Sequence, residues 1–242
     1  MEKPEERRGK LSIVATPIGN MGDITFRALW NLKECTAIYA EDTREILKLL
    51  NHYGLRKSVF RLDAATEDTK SKEVIERLEA GEHICYVTDA GTPGISDPGA
   101  RLVRAVRQSC EALREAGQES YTIDAIPGPS ALTTAISIAG LDLESFTFLG
   151  FLPHKKGRQT ALKKIAQSEI PVIIYESPHR ILKLLKELAA VGIKKVSIGR
   201  ELTKIHEEMI SGSPEELTKD LEKRKAARGE FVVIIQPLAT RG

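Results

Sequence analysis

Short apolar runs alternate with segments in which apolar residues recur every three or four positions, and this alternation sets the expected architecture. Leu11–Ala15, Ala37–Ala40, Val59–Leu62, Ile84–Val87 and Tyr121–Ala125 read as strands, with helices expected between them at Thr25–Cys35, Thr43–Tyr53, Lys70–Ala80 and Ala100–Ala116. Thr69 or Ser71 is expected to cap the third helix and Gly81 to stop it. Continuous apolar strands separated by helices predict a mainly parallel sheet covered on both faces. A helix of small and apolar residues, Ala131–Ala139, closes this half at Gly140.

The pattern then restarts. Phe146–Phe151, Val172–Tyr175, Lys195–Gly199, Glu208–Ser211 and Phe231–Gln236 read as strands, and Gly157–Gln167, Pro178–Val191 and Pro214–Ala227 as helices. The last helix carries Ser213, Pro214 and Glu216 in the order of a capping box with proline at the first turn. Closely spaced strands predict a mixed, more antiparallel α/β layer. The expected organisation is a charged tail at 1–10, an N-terminal α/β domain at 11–140 and a C-terminal α/β domain at 141–242, with the boundary near 138–145.

The expected strands of the first half end in unusual loops. Thr88–Gly99 holds Gly91, Gly94 and Gly99 together with Pro93 and Pro98. Glycine allows close backbone approach to a ligand and proline fixes turns. In open α/β sheets, ligands bind at this carboxyl edge. Ile126-Pro127-Gly128-Pro129-Ser130 is a further turn of the same kind, and Thr16-Pro17-Ile18-Gly19-Asn20 reads equally as a ligand contact or a simple strand–helix connection. Neither G-x-G-x-x-G nor the phosphate-loop pattern G-x-x-x-x-G-K-[ST] is present, which argues against a dinucleotide-binding dehydrogenase and a nucleoside triphosphatase. Glu41-Asp42-Thr43-Arg44 sits at another strand end. There Asp42 reads as a helix N-cap or a ligand contact, and Arg44 as the partner of an anionic substrate or of a neighbouring carboxylate.

Composition narrows the class. The chain has 242 residues, 41% hydrophobic and 29% charged, as in an ordinary globular protein. Cys35, Cys85 and Cys110 have no metal-ligand spacing and read as buried free thiols. No metal site, membrane span or signal segment is expected, and the expected location is the cytoplasm. Residues 1–140 carry 18 Lys and Arg against 21 Asp and Glu, whereas 141–242 carry 18 against 13. A polyanion is therefore expected to meet the second half.

Taken in order, Ala15–Asn20, Glu41–Arg44, Asp89–Gly99, Pro127–Ala131, Gly150–Pro153 and Tyr175–Arg180 closely resemble the tetrapyrrole methylase superfamily, the class III S-adenosylmethionine (SAM) methyltransferases. The resemblance covers about residues 11–237. Asp89-Ala90-Gly91-Thr92-Pro93-Gly94 stands where true tetrapyrrole methylases carry a Gly-Gly-Asp-Pro type loop, which favours the branch that acts on ribosomal RNA. The resemblance implies two α/β domains with SAM folded into the cleft between them. It also implies a homodimer and 2′-O-methylation of a cytidine ribose in 16S-type rRNA near the decoding centre, on free rRNA or the small ribosomal subunit. Its cofactor residues would be Pro17, Gly19, Asp89, Ala90, Gly91, Thr92, Ile95, Pro127, Ser130, Ala131 and Tyr175.

Candidates for base or oxyanion partner, chosen for polar strand-end positions in the second half, are Glu176, His179, Glu201 and Lys204. Lys155, Lys156, Arg158, Arg180 and Arg200 are the expected phosphate contacts. Two other classes remain compatible with the chain. One is a small-molecule methylase acting on a tetrapyrrole, although an aromatic content of 5% offers little to line its cleft. The other is a non-catalytic RNA-binding assembly factor, which would not need the glycine- and proline-rich loops.

Overall fold

The computed structural model describes residues 8–238, so residues 1–7 of the expected tail lie outside the described residues. The end of that tail is structured. Arg8 pairs with Glu119 at 2.9 Å and Lys10 opens the first strand.

Five parallel strands, β1 (Lys10–Val14), β2 (Ala37–Ala40), β3 (Ser58–Arg61), β4 (His83–Val87) and β5 (Thr122–Ile126), form one sheet in the order β3-β2-β4-β1-β5. Helices α1 (Phe26–Glu34), α2 (Thr43–His52), α3 (Glu67–Glu79) and α4 (Ala100–Glu115) connect them. Alternation along the strands splits the core. Leu11, Tyr39, Ile84 and Tyr86 pack towards α3 and α4, whereas Val14, Ile38, Cys85 and Val87 pack towards α1 and α2. The chain leaves β1 for one face and β4 for the other. Adjacent strands whose connections diverge in this way open a crevice at their carboxyl ends.

Two local expectations are revised. α3 begins at Glu67, so neither Thr69 nor Ser71 caps it. Thr66 takes the cap position but turns its hydroxyl to Asp63 at 2.9 Å, and Ser71 donates to the Glu67 carbonyl at 2.6 Å. The predicted Pro178–Val191 helix starts only at α7 (Ile181–Ala190), because Ser177–Arg180 forms a turn closed by Arg180 N–H on the Ser177 carbonyl at 3.0 Å.

The chain divides into compact units between Ser130 and Ala131. The sequence pattern put that division near 138–145. α5 (Ala131–Ile138) packs on the last strand of the second sheet and is counted with it. That sheet contains β6 (Thr147–Phe151), β7 (Val172–Glu176), β8 (Val196–Arg200), β9 (Glu208–Gly212) and β10 (Phe231–Ile235), ordered β6-β7-β10-β8-β9. β6 and β7 run parallel and the remaining pairs antiparallel, giving the mixed layer expected. α6 (Arg158–Ala166), α7 and α8 (Pro214–Lys223) supply its apolar cover. The predicted capping box is present: Ser213 Oγ accepts from Glu216 N–H at 3.2 Å and the Glu216 carboxylate accepts from Ser213 N–H at 2.8 Å. Cys35, Cys85 and Cys110 are buried free thiols.

Candidate active site

Four loops leave the carboxyl edge of the first sheet and are stitched together by hydrogen bonds. Thr16 and Gly91 exchange two backbone bonds of 3.0 Å, joining the loops after β1 and β4. The Thr92 hydroxyl donates to the Pro129 carbonyl at 2.9 Å, which ties in the turn after β5. Asp42 N–H donates to Asp89 Oδ1 at 2.9 Å, which ties in the end of β2. Gly91 takes φ 80°, and a Cβ there would lie 3.2 Å from the Ile18 side chain, so the bridge requires glycine. Asp42 is the N-cap of α2 and holds Arg44 at 2.5 Å, so the cap and neighbouring-carboxylate readings describe this pair.

Between these loops and α2 lies a cleft of about 200 Å³, lined by Pro17, Gly19, Asp89 and Ala90 among the expected cofactor residues. Ile18, Met21, Ile46, Leu49 and the ion-paired Glu45 and Lys48 complete the wall and are not among the expected cofactor residues, because periodicity marks them only as helix or turn. Thr16 and Thr88 also line it, each 3% exposed with no partner on the side-chain hydroxyl. A buried hydroxyl left without a partner costs roughly 1–3 kcal/mol, so this pair fits a ligand bearing polar atoms. Thr92 and Ile95 stand further along the same loop, Pro127 is exposed, and Ser130 and Ala131 close the turn into α5. Tyr175 lies in the second sheet, edge-on to Phe148 and Phe151 at 5.0 and 5.7 Å between ring centres.

Carboxyls crowd the carboxyl edge of the sheet, with Asp89 in the cleft wall and Glu41 and Asp97 near enough to feel its charge. Burial, reinforced by Asp89 and Asp97, pushes the Glu41 carboxyl up to about 7. Burial and Asp89 push Asp97 up to about 6, and burial also raises Asp89. Carboxylates that repel one another in this way favour a cationic ligand. The sulfonium and ammonium of SAM meet that condition.

The second-half candidates gather at one edge of the second sheet, where Phe231 is paired with Glu176 on one side and Arg200 on the other. Their side chains differ sharply in freedom. The Glu176 carboxylate is wholly buried, 2.6 Å from Arg180 and 3.7 Å from Arg158. Arg158, 4% exposed, also pairs with Glu187 at 2.7 Å. Glu176 is thus committed to Arg180 within the unit, which favours an anchoring over a catalytic role, and Arg158 is committed chiefly to Glu187 rather than facing outward to phosphate. Arg180 also donates to the Leu152 carbonyl, and Arg200 is held by Glu208 at 2.6 Å, so both are committed within the unit. Lys204 bridges Glu201 and Glu230 at 3.0 Å each. Burial works against the Lys204 charge, but these ion pairs prevail and raise its pKa. Burial likewise opposes the Glu201 carboxylate, which Lys204 nevertheless holds below its ordinary value. His179, Lys155 and Lys156 remain without such commitments among the ion pairs of this edge, and Lys155 and Lys156 are exposed. Among the described residues, no group of three or more His, Cys, Asp or Glu side chains is arranged to hold a metal ion.

Residues 10–218 match the family described as tetrapyrrole (corrin/porphyrin) methylases. The chain belongs to this family and is a SAM-dependent methyltransferase. Among curated relatives, the ribosomal RNA small subunit methyltransferase I of Thermotoga maritima is 40% identical over 94% of this chain and 98% of its own length. The protein of the same name from Borrelia garinii subsp. bavariensis is 42% identical over 93% and 97%. Solved structures of a diphthine synthase and a cobalt precorrin-4 methyltransferase share the fold. Their TM-scores are 0.70 and 0.63 at 17% and 15% identity, covering 94% and 98% of this chain and 90% and 98% of theirs.

Proposed function

We propose that the chain methylates the 2′-hydroxyl of a cytidine in small-subunit ribosomal RNA, acting in the cytoplasm as a homodimer. The observation that carries this reading is the near full-length similarity to relatives named for small-subunit rRNA methylation. Among the described residues no helix is long and apolar enough to cross a membrane.

Pro17, Gly19, Asp89 and Ala90 would hold the cofactor, with the Thr16 and Thr88 hydroxyls donating to its polar atoms. Bound SAM supplies an electrophilic methyl group on a sulfonium. The Asp89 carboxylate would offset that positive charge, and the hydrogen-bonded loops would fix its position. Alignment of reacting groups in a site of this kind is worth up to about 7–11 kcal/mol. A ribose hydroxyl also needs a proton acceptor, and His179, in the turn that follows β7, is the second-half candidate outside the ion pairs of that edge. Lys155 and Lys156 would meet phosphate, which needs exposed cations.

The test is methyl transfer from labelled SAM to small ribosomal subunits lacking 2′-O-methylcytidine, mapped by nuclease digestion and mass spectrometry. Label on a cytidine ribose is the expected result, and label on the base, or none, refutes the reading. Reversing Lys155 and Lys156 to glutamate is expected to weaken RNA binding and lower its salt slope by about 2, one for each phosphate no longer neutralised. An unchanged slope removes them from the interface.

A further inference from the structure

The loop after β4 enters α4 through Gly99, whose φ of 115° leaves the helix without a side-chain cap of its own. A Cβ at Gly99 would lie 2.5 Å from the Tyr86 ring, so no capping side chain fits there. The first N–H groups of a helix need acceptors. They find them on another helix. Glu67, the first residue of α3 and 3% exposed, accepts through Oε1 from the N–H groups of Gly99 at 2.9 Å, Arg101 at 2.8 Å and Leu102 at 2.9 Å. Its Oε2 accepts from Arg101 Nε at 3.1 Å. The Arg101 guanidinium is held in turn by Asp68 at 2.9 Å and by the Ala64 carbonyl.

A glycine-rich loop running from a strand into a helix N-terminus is the layout by which nucleotide-binding folds seize phosphate, because free N–H groups and the helix dipole both attract an anion. Here those N–H groups are already occupied by a carboxylate of the chain itself. A phosphate reaching this helix end would have to displace a buried, fourfold-bonded anion. The same carboxylate fixes one end of the loop. The Thr16–Gly91 bridge fixes the other.

We propose that Glu67 is a positioning and specificity-determining residue of the cofactor loop, its carboxylate filling the anion place at α4 so that the loop accepts a phosphate-free adenosine derivative and rejects adenine nucleotides. The proposal rests on the reading of residues 88–99 as the SAM loop.

The experiment compares wild type, Glu67→Gln and Glu67→Ala in methyl transfer to small ribosomal subunits, with ADP and formate as probes. Glu67→Ala is expected to raise KM for SAM roughly tenfold while kcat stays within about threefold, the signature of a binding contribution removed. Formate, a free carboxylate, should return part of that KM towards wild type. ADP should inhibit Glu67→Ala at least roughly tenfold more strongly than wild type, because the helix N-terminus is then open to phosphate, and Glu67→Gln by a smaller factor, because it keeps an acceptor oxygen in place but loses the charge that repels phosphate. A merely structural role would lower the active fraction without creating ADP sensitivity or formate rescue. If Glu67→Ala does not fold, Glu67→Gln keeps the shape and one acceptor oxygen and carries the ADP test alone. Unchanged SAM KM and ADP inhibition in the folded variants overturn the proposal. Failure of the wild type to bind SAM at all overturns the underlying reading instead, and is seen before any variant is made.

Discussion

Removing the Glu176 carboxylate separates a catalytic from a structural role for the most deeply placed acid in the second unit. In Glu176→Ala, Arg180 gives up its 2.6 Å ion pair and keeps only the Leu152 carbonyl at 3.2 Å. Arg158 gives up the weaker 3.7 Å approach and keeps Glu187 at 2.7 Å. Breaking a buried pair by deleting one partner typically costs about 3–5 kcal/mol. One of the two guanidiniums retains a full carboxylate partner, so the lower end, about 3 kcal/mol, is expected. Urea denaturation followed by circular dichroism measures the loss, and methyl transfer per folded molecule measures the chemistry. The expected pair of results is a midpoint displaced to lower urea and a turnover per folded molecule within a few-fold of wild type. Stability within about 1 kcal/mol of wild type combined with abolished turnover would refute the anchor assignment and return Glu176 to the catalytic candidates.

Three further outcomes are expected. Gly99→Ala forces both a positive φ and a clash with the Tyr86 ring, and should cost about 2 kcal/mol or more by thermal denaturation, with SAM affinity falling alongside; a loss below about 0.5 kcal/mol contradicts the close approach. Thr88→Val removes an unpartnered buried hydroxyl, so the free protein should be unchanged or slightly more stable while SAM binding weakens by about 1 kcal/mol in calorimetry; equal affinity means that the hydroxyl does not meet the cofactor. Glu41 titrates near 7 when folded against 4.5 for the free side chain, so between these values the folded chain binds more protons, and stability falls as pH rises through that window. Glu41→Gln should flatten that part of the stability–pH curve relative to wild type, and superimposable slopes contradict the burial.

The carboxyl-edge site was legible because its loops use residues that only special backbones need. Gly91, Gly94, Pro93 and Pro98 mark a loop of constrained backbone whatever surrounds it, and local periodicity marks the strands that deliver it. What escaped the sequence depends on partners far along the chain. Glu67 reads as an ordinary residue of a helix, because the N–H groups it caps lie 32 to 35 residues away. Arg158 and Arg180 read as surface cations because basic residues beside glycine and proline usually are. Only the fold brings Glu176 and Glu187 against them and buries the group. The Thr16 and Thr88 hydroxyls gave no signal beyond their place at a strand end, since burial of a single side chain has no sequence signature.

The position of β10 has a consequence for how the chain is made. Every strand of the first sheet has left the ribosome soon after Ile126 is synthesised, so that sheet can close while translation continues. The second sheet has its last-made strand, Phe231–Ile235, at its centre, between β7 and β8. At about 5–20 residues per second, β7 waits for β10 for roughly 3–12 seconds after its own synthesis. Until β10 is made, the hydrogen-bonding edges of β7 and β8 that it joins have no partner, and the edge that pairs Glu176 and Arg200 through Phe231 does not exist. Substitutions within Phe231–Ile235 should therefore lower the yield of soluble protein during synthesis more than they lower the stability of molecules already folded.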